Sequence, residues 1–338
     1  MNSPFNSVSF HAIVVLLCCF WSVGVAQESR QMEAAMQLFK TGEFAQAKKG
    51  FEAHLKSFPR DAEAMLRLGW VALEQKNLDA AVKWFERATR TDKTNSLYFL
   101  WLGRAHGVQA REAGIPEGAI PCANAKTAFD KAVALDPNNV EGRYDLIQWY
   151  LETPGIAGGS IKRALAEAEQ IKRRDPYFGN IASGRVLEHQ KKFVEAERAY
   201  QAARDLKTAR FEAHYALGYL HKQTKDYAKA LAAFETVLQL PSNEDRPYQI
   251  GRAEAYYQIG RTCLLFGERL DRGEEALKIY LQLRPNFYMP SLAWAHIRLG
   301  NIYEKRGRHA QARAEYEAAL ALEPDHKGAK AALKNLSE

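Results

Sequence analysis

Cysteine is scarce in this sequence, with four residues among 338. Cys18 and Cys19 lie in an apolar stretch near the amino end, which leaves Cys122 and Cys263 for the rest of the chain. This number is too small for a disulfide-rich framework, and the two positions lack the close spacing of cysteines that hold a zinc ion. We therefore predict two separate packed thiols and no metal site.

Catalytic motifs are also missing. The sequence contains neither the His-Glu-x-x-His pattern of zinc proteases nor the Gly-x-Ser-x-Gly pattern of serine hydrolases. His214 and His221 are close enough in sequence to share one face of a helix, but such a pair indicates packing more often than metal binding. The sequence thus predicts no catalytic residue, no cofactor and no metal ligand.

Neither sign of charge dominates the chain, which has 47 Lys and Arg residues, 40 Asp and Glu residues and a formal net charge of +7. Basic and acidic residues alternate, as in Lys76-Asn77-Leu78-Asp79. A nucleic-acid-binding surface would instead gather its cations on one face. The hydrophobic content of 47% is also too high for a disordered chain. We expect a folded protein that does not bind nucleic acid.

The first 26 residues contain no Asp, Glu, Lys or Arg. An apolar run over residues 12–21 is followed by Gly24-Val25-Ala26, which places small residues where a signal peptidase cleaves. We interpret residues 1–26 as a signal peptide cleaved after Ala26, which predicts export to the periplasm or cell surface of a bacterium. No basic residue precedes the run, and this departure leaves an uncleaved segment that tethers the protein to the membrane as the alternative.

A Leu-Gly or Ile-Gly pair recurs along the chain, beginning at residues 68, 102, 217, 259 and 299. About a dozen residues later a small residue and an aromatic residue follow, four positions apart, as in Ala81 and Phe85. Because positions i and i+4 share a helix face, this spacing puts a small residue and a ring at the contact between two helices. The uninterrupted units, 62–95 and 177–210, have a period of 34 residues.

This pattern resembles the tetratricopeptide repeat, a helix-turn-helix unit of the same length. The last unit is similar to the family pattern at Leu299, Gly300, Tyr303, Ala312, Tyr316, Ala319 and Pro324. The resemblance covers nearly all of the chain after residue 26. It implies an all-α fold, a right-handed superhelical solenoid of about eight hairpins, in a protein of the bacterial exported type.

The period divides the chain into eight predicted units, at residues 28–61, 62–95, 96–139, 140–176, 177–210, 211–244, 253–290 and 293–326. We assign units one to six to residues 27–244, a linker to 245–252, units seven and eight to 253–326, and a capping helix or tail to 327–338. Insertions between helices near 109–121 and 153–160 interrupt the period. Ser160 is the predicted N-cap of the helix after the second insertion.

The resemblance also implies which residues contact a partner, because in this family the first helix of each unit lines a concave groove. Positions five and nine of successive units carry aromatic and arginine side chains, which are enriched at interfaces. The predicted partner-binding groove consists of Trp70, Arg104, Tyr144, Arg185, Tyr215, Tyr219, Tyr257 and Arg261. We expect the aromatic residues to be apolar anchors and the arginines to contact acidic groups. The alternative is that several of them pack between repeats.

These features predict a non-enzymatic scaffold that binds a partner protein or peptide, in the cell envelope. Two alternatives stay open: an accessory subunit of an envelope enzyme complex, for example in cell-wall processing, and a protein that assembles with itself. The predicted partners exclude nucleic acid, and contact with a membrane is expected only through an uncleaved signal segment.

Overall fold

The computed structural model describes residues 31–241, 251–283 and 285–337. The predicted signal peptide lies outside the described residues, as does most of the predicted linker. Within the described residues the secondary structure is helical, without strands, which confirms the all-α fold class. No described helix is both long enough and apolar enough to cross a bilayer.

Seventeen α-helices follow one another as hairpins in the described parts of the chain. Their bounds are α1 31–40, α2 Phe44–Ser57, α3 Ala62–Glu74, α4 Leu78–Thr91, α5 Ser96–Ala113, α6 Ala119–Leu135, α7 Val140–Glu152, α8 Ile161–Arg174, α9 Pro176–His189, α10 Phe193–Leu206, α11 Phe211–Gln223, α12 Tyr227–Gln239, α13 Arg252–Phe266, α14 Leu270–Gln282, α15 Leu292–Lys305, α16 His309–Leu322 and α17 Lys327–Ser337. Odd-numbered helices from α1 to α15 are the first helices of hairpins, and the even-numbered helices are the second.

The helices form two compact units that divide inside α6. The N-terminal unit ends at Ala128, and the C-terminal unit begins at Phe129. In the C-terminal unit, one apolar cluster joins Tyr215 and Phe234 to Ile259 and Cys263. The core of this unit is therefore shared by helices on both sides of residues 242–250.

Each hairpin depends on a close approach between its two helices. A Cβ atom added at Gly218 would lie 2.6 Å from Cε1 of Phe234, and one added at Gly300 would lie 2.5 Å from Cε1 of Tyr316. Both rings are fully buried. Glycine is required at these two positions because the ring of the second helix occupies the space of a side chain.

Three of the turns within the hairpins share one backbone conformation. Lys191 and Lys225 have φ of 60° and 63°, and Gly307 has φ of 71° at the equivalent position of the last hairpin. In the turn after α11, the N–H of Lys225 donates to the carbonyl oxygen of Lys222 at 3.2 Å, and the N–H of Asp226 donates to that of His221 at 2.8 Å. This pair of bonds is the Schellman motif, which reverses the chain in three residues.

The two insertions have different structures. The first is mostly helical: α5 continues to Ala113 and α6 begins at Ala119, so residues 114–118 form the loop and the longer helices contain the rest of the insertion near 109–121. The second contains a short 3-10 helix, Gly155–Ala157. The Oγ atom of Ser160 then accepts a hydrogen bond from the N–H of Arg163 at 3.3 Å, which confirms its prediction as an N-cap.

Gly218→Ala should destabilise the protein, because its methyl group would force the buried Phe234 ring to move. Overpacking of this kind costs about 1–3 kcal/mol. Gly107→Ala is the matched control: this glycine also lies within a helix, and nothing lies within 4 Å of its added Cβ. The control should gain about 0.5–1 kcal/mol from helix propensity. Urea unfolding followed by circular dichroism measures both changes, and equal effects would contradict the close-approach argument.

Candidate partner-binding face of the first helices

The eight predicted groove residues all lie on first helices. Trp70 is on α3 and Arg104 on α5, in the N-terminal unit. The other six are in the C-terminal unit, with Tyr144 on α7, Arg185 on α9, Tyr215 and Tyr219 on α11, and Tyr257 and Arg261 on α13.

In the N-terminal unit, Trp70 belongs to an aromatic cluster. Its ring centroid is 5.3 Å from that of Trp101 and 6.3 Å from that of Phe39, and 6% of its surface is exposed. The Arg67 guanidinium lies 4.3 Å from the Trp70 ring, and that of Arg104 lies 5.1 Å from the Trp101 ring. Trp70 therefore stabilises the packing of α1, α3 and α5, and most of its surface is unavailable to a partner.

In the C-terminal unit, Arg185 and Tyr144 belong to a polar cluster around Glu188. Arg185 Nη1 is 3.6 Å from Glu188 Oε1, and its Nε donates to Gln148 Oε1 of the neighbouring first helix at 3.4 Å. The hydroxyl of Tyr200 donates to Glu188 Oε2 at 2.8 Å. Glu188 is buried, and its carboxylate is satisfied by one cation and one phenol. We call these five residues the Glu188 cluster.

A second polar cluster links α11 to α13. The Tyr219 hydroxyl and the Gln258 Nε2 both donate to Glu254 Oε1, at 2.7 and 2.6 Å. Lys222 Nζ donates to Gln258 Oε1 at 2.5 Å and lies 4.5 Å from the Tyr219 ring centroid. Arg261, half-buried on the same helix as Glu254, adds a positive charge that acts on that carboxylate. We call these residues the Glu254 cluster.

Tyr215 and Tyr257 lie below this polar layer. Their exposed fractions are 3% and 4%, and the Tyr215 hydroxyl donates to the carbonyl oxygen of Gly251 at 2.8 Å. The Tyr257 ring packs 5.3 Å from the Tyr280 ring. Truncating such rings to alanine costs about 3–5 kcal/mol each. Direct contact of these two rings with a partner stays a prediction, and alanine variants at these positions would test stability rather than binding.

Burial changes the acid-base properties of the Glu254 cluster. It lowers the pKa of Lys222 to about 8, and the neighbouring Arg261 charge adds to this effect. Burial also raises the pKa of Glu254, although hydrogen bonds from Tyr219 and Gln258 oppose the shift. Burial beside Glu254 raises the pKa of the Tyr219 phenol. The phenol consequently stays protonated at neutral pH and serves as a hydrogen-bond donor.

The sequence prediction missed Glu188, Lys222, Glu254 and Gln258. In the unit numbering of the sequence, Glu188 and Lys222 occupy position twelve and Glu254 occupies position two. Positions two and twelve lie on the same helical stripe as positions five and nine. The periodicity that predicted the groove residues therefore also indicates Glu188, Lys222 and Glu254. Because charged residues on a helix are usually solvated, the stripe alone does not indicate that these residues are buried. Only the structure shows that Glu188, Glu254 and Gln258 are buried.

The first helices of the C-terminal unit therefore present half-buried cations, Arg185, Lys222 and Arg261, beside a fixed layer of buried polar groups. Within the described residues no group of three His, Cys, Asp or Glu side chains is placed to hold a metal ion. Such an arrangement can hold an acidic group of a partner through charge-assisted hydrogen bonds.

Comparison with protein families agrees with this architecture. Models described as tetratricopeptide repeat match residues 32–96, 211–240 and 293–326. The chain thus belongs to the class of all-α proteins built from repeated helical hairpins. Within that class it is a tetratricopeptide repeat protein, as the Leu-Gly spacing predicted.

Among curated relatives, human Protein O-mannosyl-transferase TMTC1 is 28% identical over 44% of this chain and 16% of its own length. Human Superkiller complex protein 3 is 26% identical over 49% of this chain and 12% of its own length. The chain thus spans less than a fifth of either relative.

Two solved structures share the fold. Yeast Tom70 has a TM-score of 0.62 and 17% identity, covering 87% of this chain and 58% of that one. The Cut9–Hcn1 hetero-tetramer of APC/C has a TM-score of 0.50 and 16% identity, covering 90% and 55%. At these identities the likeness concerns the fold alone.

The Lys222 amine should titrate near pH 8 in the folded protein. Because its pKa there is below the ordinary value of 10.5, the unfolded chain binds more protons between these pH values. The contribution of Lys222 to the free energy of unfolding should therefore increase as pH rises from about 8 to 10.5. NMR of protein labelled at the lysine side chains measures the midpoint, and Lys222→Gln assigns the signal.

Lys229 on α12 is the control for this titration. Its ion pair with Asp226, at 3.0 Å, raises its pKa above the ordinary value. A Lys222 midpoint as high as that of Lys229 would contradict the burial described above.

Proposed function

We propose that this protein is a non-enzymatic scaffold whose first-helix face, in the C-terminal unit, binds an extended or helical segment of a partner protein. The observation that carries this proposal is the state of Arg261. Within the described residues its guanidinium forms no hydrogen bond or ion pair, although it lies beside the ordered Glu254 cluster. A half-buried cation without such a bond gains a charge-assisted hydrogen bond when a partner supplies the carboxylate.

The buried polar groups of the Glu188 and Glu254 clusters support a binding role rather than a catalytic one. Tyr219 and Tyr200 are both engaged as donors to buried carboxylates, and burial raises the pKa of each phenol. These groups hold neighbouring helices in register, so the cations beside them are presented on a rigid surface. Rigid presentation of a few charged groups favours specific recognition of a partner.

The relatives agree with a role in assembly. One of them is named as a component of the superkiller complex. The other is named as a transferase, but the match spans 16% of that protein. Its name supports the second candidate, in which this chain is the accessory subunit of an enzyme complex and contributes binding while another subunit contributes catalysis.

We further propose that the protein is exported by a bacterium to its periplasm or cell surface. This proposal is supported by the apolar run at residues 12–21 and by Gly24-Val25-Ala26.

The mature protein should begin at Gln27 when isolated from the cell envelope. A signal peptidase that cleaves after Ala26 gives this terminus, whereas a tethering segment would leave the first residues in place. N-terminal sequencing and intact mass of the protein from separated cell fractions distinguish the two. Recovery in the cytoplasmic fraction with residues 1–26 still present would overturn the export proposal.

Arg261→Gln should weaken partner binding without unfolding the protein. The substitution removes the charge and keeps a polar, uncharged side chain, and a hydrogen bond to a charged group contributes about 1.5–3 kcal/mol. We therefore expect at least about a tenfold loss of affinity. Affinity capture from the native envelope identifies the partner, and titration of the purified partner measures the constant.

Arg198→Gln is the matched control. Arg198 is exposed on α10, a second helix, so its substitution removes the same charge from another face. Equal losses for Arg261→Gln and Arg198→Gln would indicate a general effect of net charge. A partner retained equally by wild type and both variants would show that the first-helix face is not the binding surface.

A further inference from the structure

The turns within the hairpins of the C-terminal unit lie along one edge. These turns are residues 153–160, 190–192, 224–226, 267–269 and 306–308, and together we call them the turn edge. Successive first helices run parallel, as the bonds from Tyr219 to Glu254 and from Lys222 to Gln258 show by joining residues 35 and 36 positions apart. Parallel first helices of similar length place their carboxyl ends, and hence the turns, side by side.

Long cations occupy the left-handed positions of three of these turns. Lys191, Lys225 and Arg269 have φ of 60°, 63° and 52°. A residue with a Cβ is disfavoured in this conformation, and Gly307 fills the place equivalent to Lys191 and Lys225 in the last hairpin without that strain. Within the described residues none of the three cations forms an ion pair or a side-chain hydrogen bond.

The helix dipole explains only in part why cations occupy these turn positions. A cation is favoured near the carboxyl end of a helix, which applies to Lys191 after α9 and Lys225 after α11. All three cations, however, also lie one or two residues before the amino end of the next helix, α10, α12 or α14, where the dipole disfavours a positive charge. The cations of the turn edge are therefore incompletely explained by contacts within the described chain.

Aliphatic side chains are exposed on the same edge. Ile156, in the turn after α7, is fully exposed. Val194, in the first turn of α10, and Leu265, in the last turn of α13, are 61% and 48% exposed. Exposed lysines and arginines, including Lys162 and Lys192, outnumber exposed acids within three residues of these turns.

The turn that carries Ile156 is rigid. The N–H of Gly159 donates to the carbonyl oxygen of Pro154 at 3.2 Å, and the N–H of Ser160 donates to that of Tyr150 at 2.9 Å. A Cβ added at Gly159 would lie 1.8 Å from the carbonyl oxygen of Thr153, so only glycine allows this closure. The backbone conformation of this turn thus keeps the Ile156 side chain exposed.

We propose that the turn edge binds the surface of an anionic lipid bilayer. Its cations would pair with lipid phosphates, while Ile156, Val194 and Leu265 would insert at the boundary between headgroups and acyl chains. A row of cations that alternates with exposed aliphatic side chains fits the flat boundary between lipid headgroups and acyl chains. A nucleic acid would give the aliphatic side chains no apolar surface to contact. This proposal is independent of partner binding by the first helices.

The test is flotation of the full chain with vesicles of phosphatidylcholine, with and without phosphatidylglycerol. Wild type should bind only the vesicles with phosphatidylglycerol, and added salt should weaken the binding because it screens the cations. The triple variant Lys191→Gly, Lys225→Gly and Arg269→Gly should bind about a hundredfold more weakly, since each of the three cations contributes about fivefold. Its Tm should be unchanged or higher, because glycine relieves the left-handed strain.

Two further variants complete the design. Ile156→Ser should weaken vesicle binding with no effect on Tm, since this side chain has no contact to lose. The control variant Lys131→Gln, Lys172→Gln and Arg198→Gln removes the same charge from second helices, away from the turns, and should bind like wild type.

Three outcomes would overturn the proposal. They are equal binding to both vesicle types, unchanged binding of the glycine variant, and an equal loss in the control variant. Competition by soluble polyglutamate, together with an Ile156→Ser variant that binds like wild type, would assign the edge to an acidic protein and would also reject the bilayer.

Discussion

The contact between a glycine of the first helix and a ring of the second sets the distance between the two helices of a hairpin. At Gly184, Gly218 and Gly300 the ring of Tyr200, Phe234 or Tyr316 lies where a Cβ would be. This close approach buries the rings completely or nearly so. A single hairpin of this kind leaves one apolar face uncovered, and this face is buried only when the next hairpin packs against it. Stacking therefore follows from the hairpin contact.

A second set of interactions joins one hairpin to the next. The Glu188 cluster connects α7 to α9 and α10, and the Glu254 cluster connects α11 to α13. Apolar packing alone is weakly directional, whereas hydrogen bonds to a buried carboxylate are satisfied in only one register. These clusters thus fix the order and spacing of the first helices. The same clusters place Arg185, Lys222 and Arg261 in a row that a partner can contact.

The C-terminal unit accordingly offers two surfaces with different physical character. The first-helix face combines half-buried cations with a rigid polar layer, which suits recognition of particular acidic groups. The turn edge has exposed cations and aliphatic side chains on strained or glycine-dependent backbone, which suits a broad anionic boundary. The curated relatives are 28% and 26% identical over less than half of this chain, and yeast Tom70 is 17% identical.

Much of the fold could be predicted from the sequence because the repeat is local. The Leu-Gly pairs, the small and aromatic residues four positions apart, and a cap such as Ser160 specify helices and turns over a few tens of residues. The length of α5 and α6 could not be predicted in this way. The residues near 109–121 include Gly and Pro, but helical packing extends α5 to Ala113 and starts α6 at Ala119.

The candidate site, like the fold, could be predicted from the sequence only in part. The resemblance to the repeat family assigned Arg185, Tyr219 and Arg261 to one stripe of the first helices, and in the structure all three belong to the polar clusters. Burial depends on contacts between repeats that are distant in sequence, so only the tertiary structure shows that Tyr215 and Tyr257 lie below the surface. The sequence by itself determined the repeat, the class of fold and the stripe. The tertiary structure decided which side chains of that stripe are core and which remain available, because burial is a property of neighbouring helices together.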